Sequence, residues 1–250
     1  MNEQRTIAII QARMGSSRLP GKVMMALEGK PVLWHVIERV KQARSIDDVV
    51  IATTIEAQDD QLEAFCTSIG IAVFRGSERD VLDRYYQAAR RFGAAVIVRI
   101  TSDCPLIDPL LLDSMLDCFK ECTCDLVTNA GADARKRTFP RGLDTEIFTF
   151  KALEKAWTDA RMPHQREHVT PFLYEGGFSI LNFVGEEDRS GFRWTLDTSD
   201  DFRLIETIYR HLYHGKHDFY MRDVLALHAH FPELSAINGH VEQKSLIESI

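Results

Sequence analysis

Three cationic residues and two glycines are concentrated in the segment from Gln11 to Lys22. Glycines let backbone N–H groups approach a phosphate closely, and Arg13, Arg18 and Lys22 would supply the countercharge from an exposed loop. The apolar run Ile7–Ile10 before the segment predicts a buried strand that ends where this cationic loop begins. The pattern therefore predicts a nucleotide triphosphate site, and a basic surface turn is the alternative interpretation.

Two aspartates follow apolar runs elsewhere in the chain and are candidates for binding a metal ion. Asp103 comes two residues after the run Val96–Thr101, at the same predicted sheet edge as the cationic loop. Mg²⁺ takes one or two carboxylates and completes its shell with phosphate oxygens and water, so Asp103 is a predicted ligand. Asp197 follows the predicted strand Arg193–Leu196, where a helix-capping turn is the alternative interpretation. Two such carboxylates without a cation would repel each other.

Length and composition limit the classes of protein to which the chain can belong. Its 250 residues suffice for one large α/β domain, which we expect to span the whole chain. A net charge of −7 argues against a general nucleic-acid-binding protein, which needs a basic face. No run approaches the ~20 apolar residues of a membrane-spanning helix, and the chain enters a predicted strand almost at once. We therefore expect neither a membrane segment nor a signal peptide.

The cysteines bear on the redox environment of the protein. Five cysteines are an odd number, and they lack the regular spacing of a disulfide framework. This usage is typical of a reducing compartment, so we predict a cytoplasmic protein. Cys118, Cys122 and Cys124 lie close together in the sequence, but they have no evident fourth zinc ligand, and we interpret them as free thiols.

Alternating strand and helix patterns would position the loop and the aspartates. Apolar runs at 48–53, 71–74 and 96–101 predict strands, and prolines at 31 and 109 suit the first turns of intervening helices. This alternation predicts a mostly parallel sheet flanked by helices, in which ligands bind beyond the carboxyl ends of the strands. The region 130–177 breaks the rhythm, and we interpret it as an inserted lobe that covers a site or contacts a second subunit.

The segment Arg13–Lys22, with Gly29–Leu33 after it, resembles the signature loop of the sugar-acid cytidylyltransferases. The segments Phe139–Glu146 and Arg166–Pro171 resemble the spore-coat polysaccharide biosynthesis branch, whose relatives activate 3-deoxy-manno-octulosonate and acylneuraminate. The resemblance implies an α/β fold of the Rossmann-like nucleotide-diphospho-sugar transferase type. It also implies a homodimer that transfers CMP from CTP to a sugar acid or similar small acceptor, with Mg²⁺ as cofactor and pyrophosphate as product.

The same resemblance assigns roles to individual residues. Asp103 and Asp197 match the two aspartates that share the metal, and Arg13, Lys22 and Asp103 are expected to act in catalysis. The residues expected to bind the nucleotide are Gln11, Ala12, Arg13, Gly15, Ser16, Arg18, Lys22, Arg75, Ser77 and Ser102. For the turn that holds Arg75 and Ser77, a solvated turn is the alternative. The residues expected to bind the acceptor, whose carboxylate needs cations, are Arg141, Asp144, Glu146, Arg166 and His168.

Two other functions compete with cytidylyl transfer. A glycosyltransferase of related fold, which uses a nucleotide-sugar donor, usually presents a D-x-D metal motif, and no D-x-D occurs in the sequence. A catalytically idle nucleotide-binding regulator would be expected to lose a metal aspartate or the loop lysine, and Asp103, Asp197 and Lys22 are all present.

Overall fold

The apolar runs of the sequence form the inner strands of one sheet. The protein is represented by a computed structural model that describes residues 5–131 and 136–243. The strands are β1 (Thr6–Gln11), β2 (Ala26–Leu27), β3 (Lys30–Pro31), β4 (Asp48–Thr54), β5 (Ala72–Gly76), β6 (Val96–Thr101), β7 (Leu126–Thr128), β8 (Glu146–Thr149) and β9 (Ile180–Asn182). The α-helices are α1 (Val32–Val40), α2 (Asp60–Ser68), α3 (Val81–Phe92), α4 (Pro109–Glu121), α5 (Phe150–Asp159), α6 (Pro163–His168), α7 (Pro171–Glu175), α8 (Ser199–Leu212), α9 (Met221–His230) and α10 (Leu234–Asn238). None of these described helices has the length and hydropathy needed to cross a bilayer.

The strand order brings the cationic loop and Asp103 to one edge of the sheet. Within the described ranges, seven strands form a sheet in the order β5-β4-β1-β6-β8-β7-β9. Only β8 runs antiparallel to its neighbours in this sheet, and the other pairs are parallel. Gln11 pairs with Thr101 at the carboxyl ends of β1 and β6. The predicted α/β class with a mostly parallel sheet is therefore confirmed.

Both faces of the sheet are buried, which explains why its inner strands are apolar throughout. On β1, Ala8 and Ile10 belong to a core that includes side chains of α1, α4 and α8. Ile7 and Ile9 alternate with them and belong to a second core with α3, α5 and α7. Parallel strands covered by helices on both faces are expected to be near-continuous apolar runs rather than alternating ones.

Helix α4 shows how local sequence signals place the segment after Asp103. The Asp108 carboxylate accepts hydrogen bonds from the N–H groups of Leu110 and Leu111 at 2.8 and 3.2 Å. Pro109 occupies the first helical position, where its missing N–H costs nothing. Asp108 is thereby committed to capping, which leaves Asp103 as the carboxylate available at this sheet edge.

The region 130–177 is more closely integrated than an inserted lobe would be. It contributes β8 to the middle of the sheet, between β6 and β7. Its helix α5 packs into the same core as α3. The segment around Arg193–Leu196 also differs from prediction, because it forms only a single bridge, between Arg193 and Arg141, instead of a strand. One bridge suffices there because backbone bonds to neighbouring loops replace a full ladder.

The prediction of free thiols at the end of α4 is wrong for two cysteines. Cys122 and Cys124 are joined by a disulfide, because the chain turns after Glu121 and brings their Cα atoms to 5.3 Å. Cys118 remains free, as predicted. A pairing of residues so close in sequence is set by local chain direction, which spacing alone does not reveal.

Candidate active site

A cleft of about 720 Å³ opens at the carboxyl ends of β1, β5 and β6. Its position is the one expected for ligands of a parallel sheet, and its volume is in the range of small-molecule sites. The sequence-predicted residues that line it on the nucleotide side are Gln11, Ala12, Arg13, Ser16, Arg18, Lys22, Ser102, Asp103 and Asp197. The structure thus brings together residues that are up to about 190 positions apart in the chain.

Lys22 joins the two predicted metal ligands. Its Nζ donates hydrogen bonds to Asp103 Oδ2 at 2.7 Å and to Asp197 Oδ1 at 2.9 Å. A third bond goes to the carbonyl of Leu196 at 2.7 Å. Lys22 is only 8% exposed, so the expectation of an exposed loop lysine is wrong. The expected repulsion between the two carboxylates is also relieved, because the buried ammonium of Lys22 lies between them.

The shifted pKa values of Lys22 and Asp103 favour the charged forms of both side chains. Burial by itself raises the pKa of the Asp103 carboxyl, but the Lys22 charge and hydrogen bonds from Lys22 and Thr101 outweigh burial, so that pKa lies below its ordinary value. Burial lowers the pKa of Lys22, but Asp103 and Asp197 reverse this and raise that pKa above its ordinary value. The lysine and Asp103 therefore hold each other ionised at neutral pH.

Asp197 binds three cations at once. Arg18 Nη2 lies 2.7 Å from its Oδ2, and Arg193 Nη2 donates to the same oxygen at 2.9 Å. Lys22 occupies the other oxygen. The capping interpretation belongs to its neighbour Thr198, whose hydroxyl accepts from the N–H of Asp201 at 3.2 Å at the start of α8. The side chain of Asp197 is thereby left to the cleft.

Backbone contacts fix the distance between the two aspartates. The Leu196 N–H donates to the Asp103 carbonyl at 2.8 Å. Behind Leu196, Gly142 has a φ of +99° and lies so close to Trp194 that a Cβ would be 2.5 Å from its carbonyl carbon. Only glycine permits this approach, which lets the segment that carries Arg141 pack against the segment that leads to Asp197.

An aspartate that sequence reasoning missed holds the cationic loop in place. Asp59 is fully buried, and its Oδ1 accepts from the Met14 N–H at 2.7 Å, while the Thr54 hydroxyl bonds its Oδ2. The loop then turns at Gly21, which has a φ of +71° and donates its N–H to the Met14 carbonyl at 3.0 Å. In the sequence Asp59 is indistinguishable from a helix-capping aspartate, because its partner Met14 lies far away in the chain.

Three of the predicted nucleotide contacts do not line the cleft. Arg75 points toward α2, where its Nη1 pairs with Asp60 at 2.7 Å and Glu63 at 2.9 Å. The Ser77 hydroxyl accepts from the backbone N–H of Asp80 at 3.0 Å, and Gly15 lies against the side chain of Gln58. Local carboxylates and N–H groups satisfy the side chains of Arg75 and Ser77, which agrees with the alternative of a solvated turn. Their contact with the nucleotide stays a prediction.

Arg84 on α3 is a cleft residue that the sequence did not reveal. It is 2% exposed, and its Nη1 donates to the Ser77 carbonyl, while its Nε has no partner among the described residues. Burial is the main cause that lowers the pKa of its guanidinium. A buried arginine with an unused donor at a cleft wall is suited to bind a phosphate or a base oxygen. In the sequence, Arg84 belongs to a helical pattern, and nothing in that pattern distinguishes it from an arginine on the protein surface.

The predicted acceptor residues separate into different environments. Arg166 and His168 line the cleft, but Arg166 donates from Nε and Nη2 to Asp80 Oδ2 at 3.0 and 2.5 Å. Asp144 is paired with Arg137, and Glu146 is 5% exposed beneath the cleft. Arg141 lines a separate cavity of about 170 Å³ with Arg193. None of Asp144, Glu146 and Arg141 lines the cleft, because each lies in another ion-pair network or cavity. Their role in acceptor binding stays a prediction.

Comparisons with known proteins agree on one family. The family model described as cytidylyltransferase matches residues 7–211. An uncharacterized protein of Methanocaldococcus jannaschii is 39% identical over 98% of both chains. The spore coat polysaccharide biosynthesis protein SpsF of Bacillus subtilis is 36% identical over 81% of this chain and 85% of its own. The 3-deoxy-manno-octulosonate cytidylyltransferase of Geobacter sulfurreducens is 36% identical over 44% of this chain and 43% of its own.

The same family is found among solved structures. The structure of a cytidylyltransferase from Leptospira borgpetersenii superposes with a TM-score of 0.87 at 34% sequence identity. The superposition covers 97% of this chain and 100% of that one. The matched regions include β1, the cationic loop and both aspartates, so the cleft belongs to the part of the chain that is shared.

Proposed function

The chain belongs to the cytidylyltransferase family, and from that premise we propose that it transfers CMP from CTP to a hydroxyl group of a sugar acid or similar small acceptor. The acceptor oxygen would form a bond to the α-phosphorus of CTP as the bond from that phosphorus to the β-phosphate bridging oxygen breaks. Pyrophosphate would leave, and the acceptor proton would go to solvent or a nearby base. This chemistry depends on positioning and charge neutralisation rather than on a covalent enzyme intermediate.

The observation that carries the proposal is the cluster of Lys22, Arg18, Asp103 and Asp197 on the cleft wall. Lys22 and Arg18 are both within 2.9 Å of Asp197, so two cations are held ready beside the predicted triphosphate loop. On nucleotide binding these cations can exchange a carboxylate partner for phosphate oxygens. Negative charge on the departing pyrophosphate would then be stabilised by groups that are already in place. Arg13, whose contact to Glu78 is 3.3 Å and exposed, adds a further cation.

Asp103 and Asp197 fit the requirements of Mg²⁺. Both present carboxylate oxygens to one cation position, which Lys22 Nζ now occupies. Mg²⁺ is commonly bound by one or two carboxylates plus substrate phosphates, so no third protein ligand is required. When bound, Mg²⁺ would neutralise phosphate charge and lower the pKa of the acceptor hydroxyl. Lys22 would then turn from the carboxylates toward the triphosphate.

The acceptor would occupy the end of the cleft that is lined by Arg166, Glu167 and His168. Arg166 is already bonded to Asp80, so it would bind an acceptor carboxylate only by sharing its guanidinium. Burial lowers the pKa of His168, so its ring is neutral at neutral pH and offers a hydrogen bond rather than a charge. We propose a role in surface polysaccharide or glycoconjugate biosynthesis on the strength of the resemblance to the spore-coat branch.

Nucleotide choice is the direct test of the proposal. We expect CTP to be preferred over UTP, because a site that pairs with the cytosine amine and N3 leaves polar groups unpaired with uracil. Pyrophosphate release is measured with each of the four nucleotides against a panel of sugar acids. Turnover with CTP and a sugar acid supports the proposal. Equal binding of CTP and UTP with turnover of a nucleotide sugar would favour the glycosyltransferase, and nucleotide binding without any turnover would favour the idle regulator.

We further propose that the protein is a homodimer with the region 130–177 at its interface. Met162 lies in this region, and its large apolar side chain is 53% exposed. Light scattering at micromolar concentration should give a dimer mass. Met162→Glu should shift that mass toward the monomer, whereas Val184→Glu, at an equally exposed apolar side chain outside the region, should leave it unchanged. A wild-type monomer mass would contradict the proposal.

A further inference from the structure

Glu146 is buried, and its carboxylate accepts hydrogen bonds from three protein side chains. Its Oε2 accepts from Arg99 Nη1 at 2.6 Å, and its Oε1 accepts from the hydroxyls of Thr170 at 2.9 Å and Tyr174 at 2.5 Å. Arg99 also donates to Gln11 Oε1 at 3.3 Å, so the network reaches the first residue of the cationic loop. A buried ion pair with this many fixed partners is suited to hold chain segments in register.

One of the partners of Glu146 belongs to a strained turn. Val169 has φ +72° and ψ −58°, and the Thr170 N–H donates to the His168 carbonyl at 2.9 Å across it. These features define the classic γ-turn, which is rare and strained, and β-branched residues avoid positive φ. Among described residues, Glu28 is the only other non-glycine with positive φ. Such a conformation persists only where surrounding contacts hold it.

Two contacts hold this turn. The Val169 side chain is 1% exposed in the second core, and the Thr170 hydroxyl is bonded to Glu146. The turn ends α6 abruptly and sets the direction of His168, which lines the acceptor end of the cleft. The Nε2 of His168 is buried and has no partner among the described residues. A buried imidazole nitrogen without a partner calls for an explanation, and the position of the ring at the cleft wall is the feature that the turn controls.

We propose that the Arg99–Glu146 pair is a positioning unit that uses the Thr170 hydroxyl to hold the Val169 γ-turn and thereby fixes His168 for the acceptor. The inference rests on the proposed function, since it assigns the acceptor to this end of the cleft. Glu146 acts here through Thr170 and touches no substrate. Both carboxylate oxygens of Glu146 are used as acceptors, one for Arg99 and the other for Thr170 and Tyr174.

The test compares two hydroxyl deletions at the same carboxylate oxygen. Thr170→Val and Tyr174→Phe each remove one donor to Glu146 Oε1, but only the first releases the turn. Crystal structures should show Val169 with negative φ and a displaced His168 ring in Thr170→Val alone. In assays with CTP and the panel member that wild type turns over, Thr170→Val should raise the acceptor KM by about tenfold and change the KM for CTP less than about twofold. Thr170→Ser, which keeps the hydroxyl, should restore both readouts.

The outcomes separate this inference from the proposed function. A γ-turn and ring position that are unchanged in Thr170→Val would overturn the inference, as would a Tyr174→Phe variant with the same rise in acceptor KM. If Thr170→Val does not fold, Thr170→Ala removes the hydroxyl without added methyl bulk and gives the same comparison. If wild type turns over no sugar acid, the proposed function fails, while the backbone angle of Val169 still decides whether Thr170 holds the turn.

Discussion

Lys22→Ala should lower turnover by on the order of 10²-fold or more, since it removes a buried cation that is poised for the developing pyrophosphate charge. It should also destabilise the protein, by about 3 kcal/mol, because Asp103 and Asp197 lose the ammonium that lies between them. Turnover is measured as pyrophosphate release, and stability by urea unfolding. The control Lys41→Ala removes an exposed lysine that pairs with Glu38, and both quantities should stay close to wild type.

The stability loss in Lys22→Ala should depend on pH in a defined direction. In the wild type the pKa of Asp103 is depressed, so its contribution to stability is present above the ordinary aspartate pKa and is lost as pH falls through the depressed value. Without Lys22, burial and the neighbouring carboxylate raise the pKa of Asp103, and stability then falls as pH rises through that raised value. The stability difference between wild type and variant should therefore be largest at neutral pH and narrow toward about pH 4.

A double variant tests the structural role of Lys22. Lys22→Ala with Asp103→Asn removes one charge of each sign, so it should regain stability relative to Lys22→Ala but no turnover. Turnover of the double variant does not bear on Lys22, because Asp103→Asn alone should abolish it. If stability were not regained, the loss in Lys22→Ala would not come from an unpaired Asp103. Near-wild-type turnover in Lys22→Ala itself would exclude the lysine from the mechanism.

Asp103→Asn and Asp197→Asn should each abolish turnover, by on the order of 10³-fold or more, and weaken its dependence on Mg²⁺. Because Lys22 lies between the carboxylates, neither change relieves a repulsion, and neither should stabilise the protein. Asp197→Asn should cost more stability, since Asp197 binds Arg18, Lys22 and Arg193, whereas Asp103 binds one cation and the Thr101 hydroxyl. Turnover against Mg²⁺ concentration and urea unfolding measure the two effects.

The matched control for these substitutions is Asp200→Asn, which lies in the first turn of α8 and pairs with Arg203 and His240 at the surface. It should leave turnover and Mg²⁺ dependence unchanged. The shared-metal hypothesis would be abandoned if Asp103→Asn kept a wild-type Mg²⁺ response. It would equally be abandoned if a structure with CTP and Mg²⁺ placed the two carboxylates more than about 8 Å apart, too far for ligands of one ion.

Much of the fold followed from local patterns in the sequence. The apolar runs at 7–10, 48–53 and 96–101 predicted buried strands, which are the strands β1, β4 and β6 of the structure. Asp108 and Pro109 begin α4 as a capping residue and a first-turn proline should. The carboxyl ends of parallel strands meet at one edge, so the cationic loop and Asp103 were expected to lie together. This expectation is met because β1 and β6 are paired neighbours in the sheet.

Only the tertiary structure decided which partner each charged side chain has. An arginine that faces the cleft, as Arg18 does, cannot be told from other charged residues by the sequence alone. Arg75 and Glu146 form ion pairs with residues outside the cleft lining instead. Ion pairing depends on distances of a few ångströms between residues far apart in the chain, and residue type and spacing do not encode these distances. For the same reason the sequence supplied the residues Lys22, Asp103 and Asp197, while their meeting around one buried ammonium was set by the packing of the folded chain.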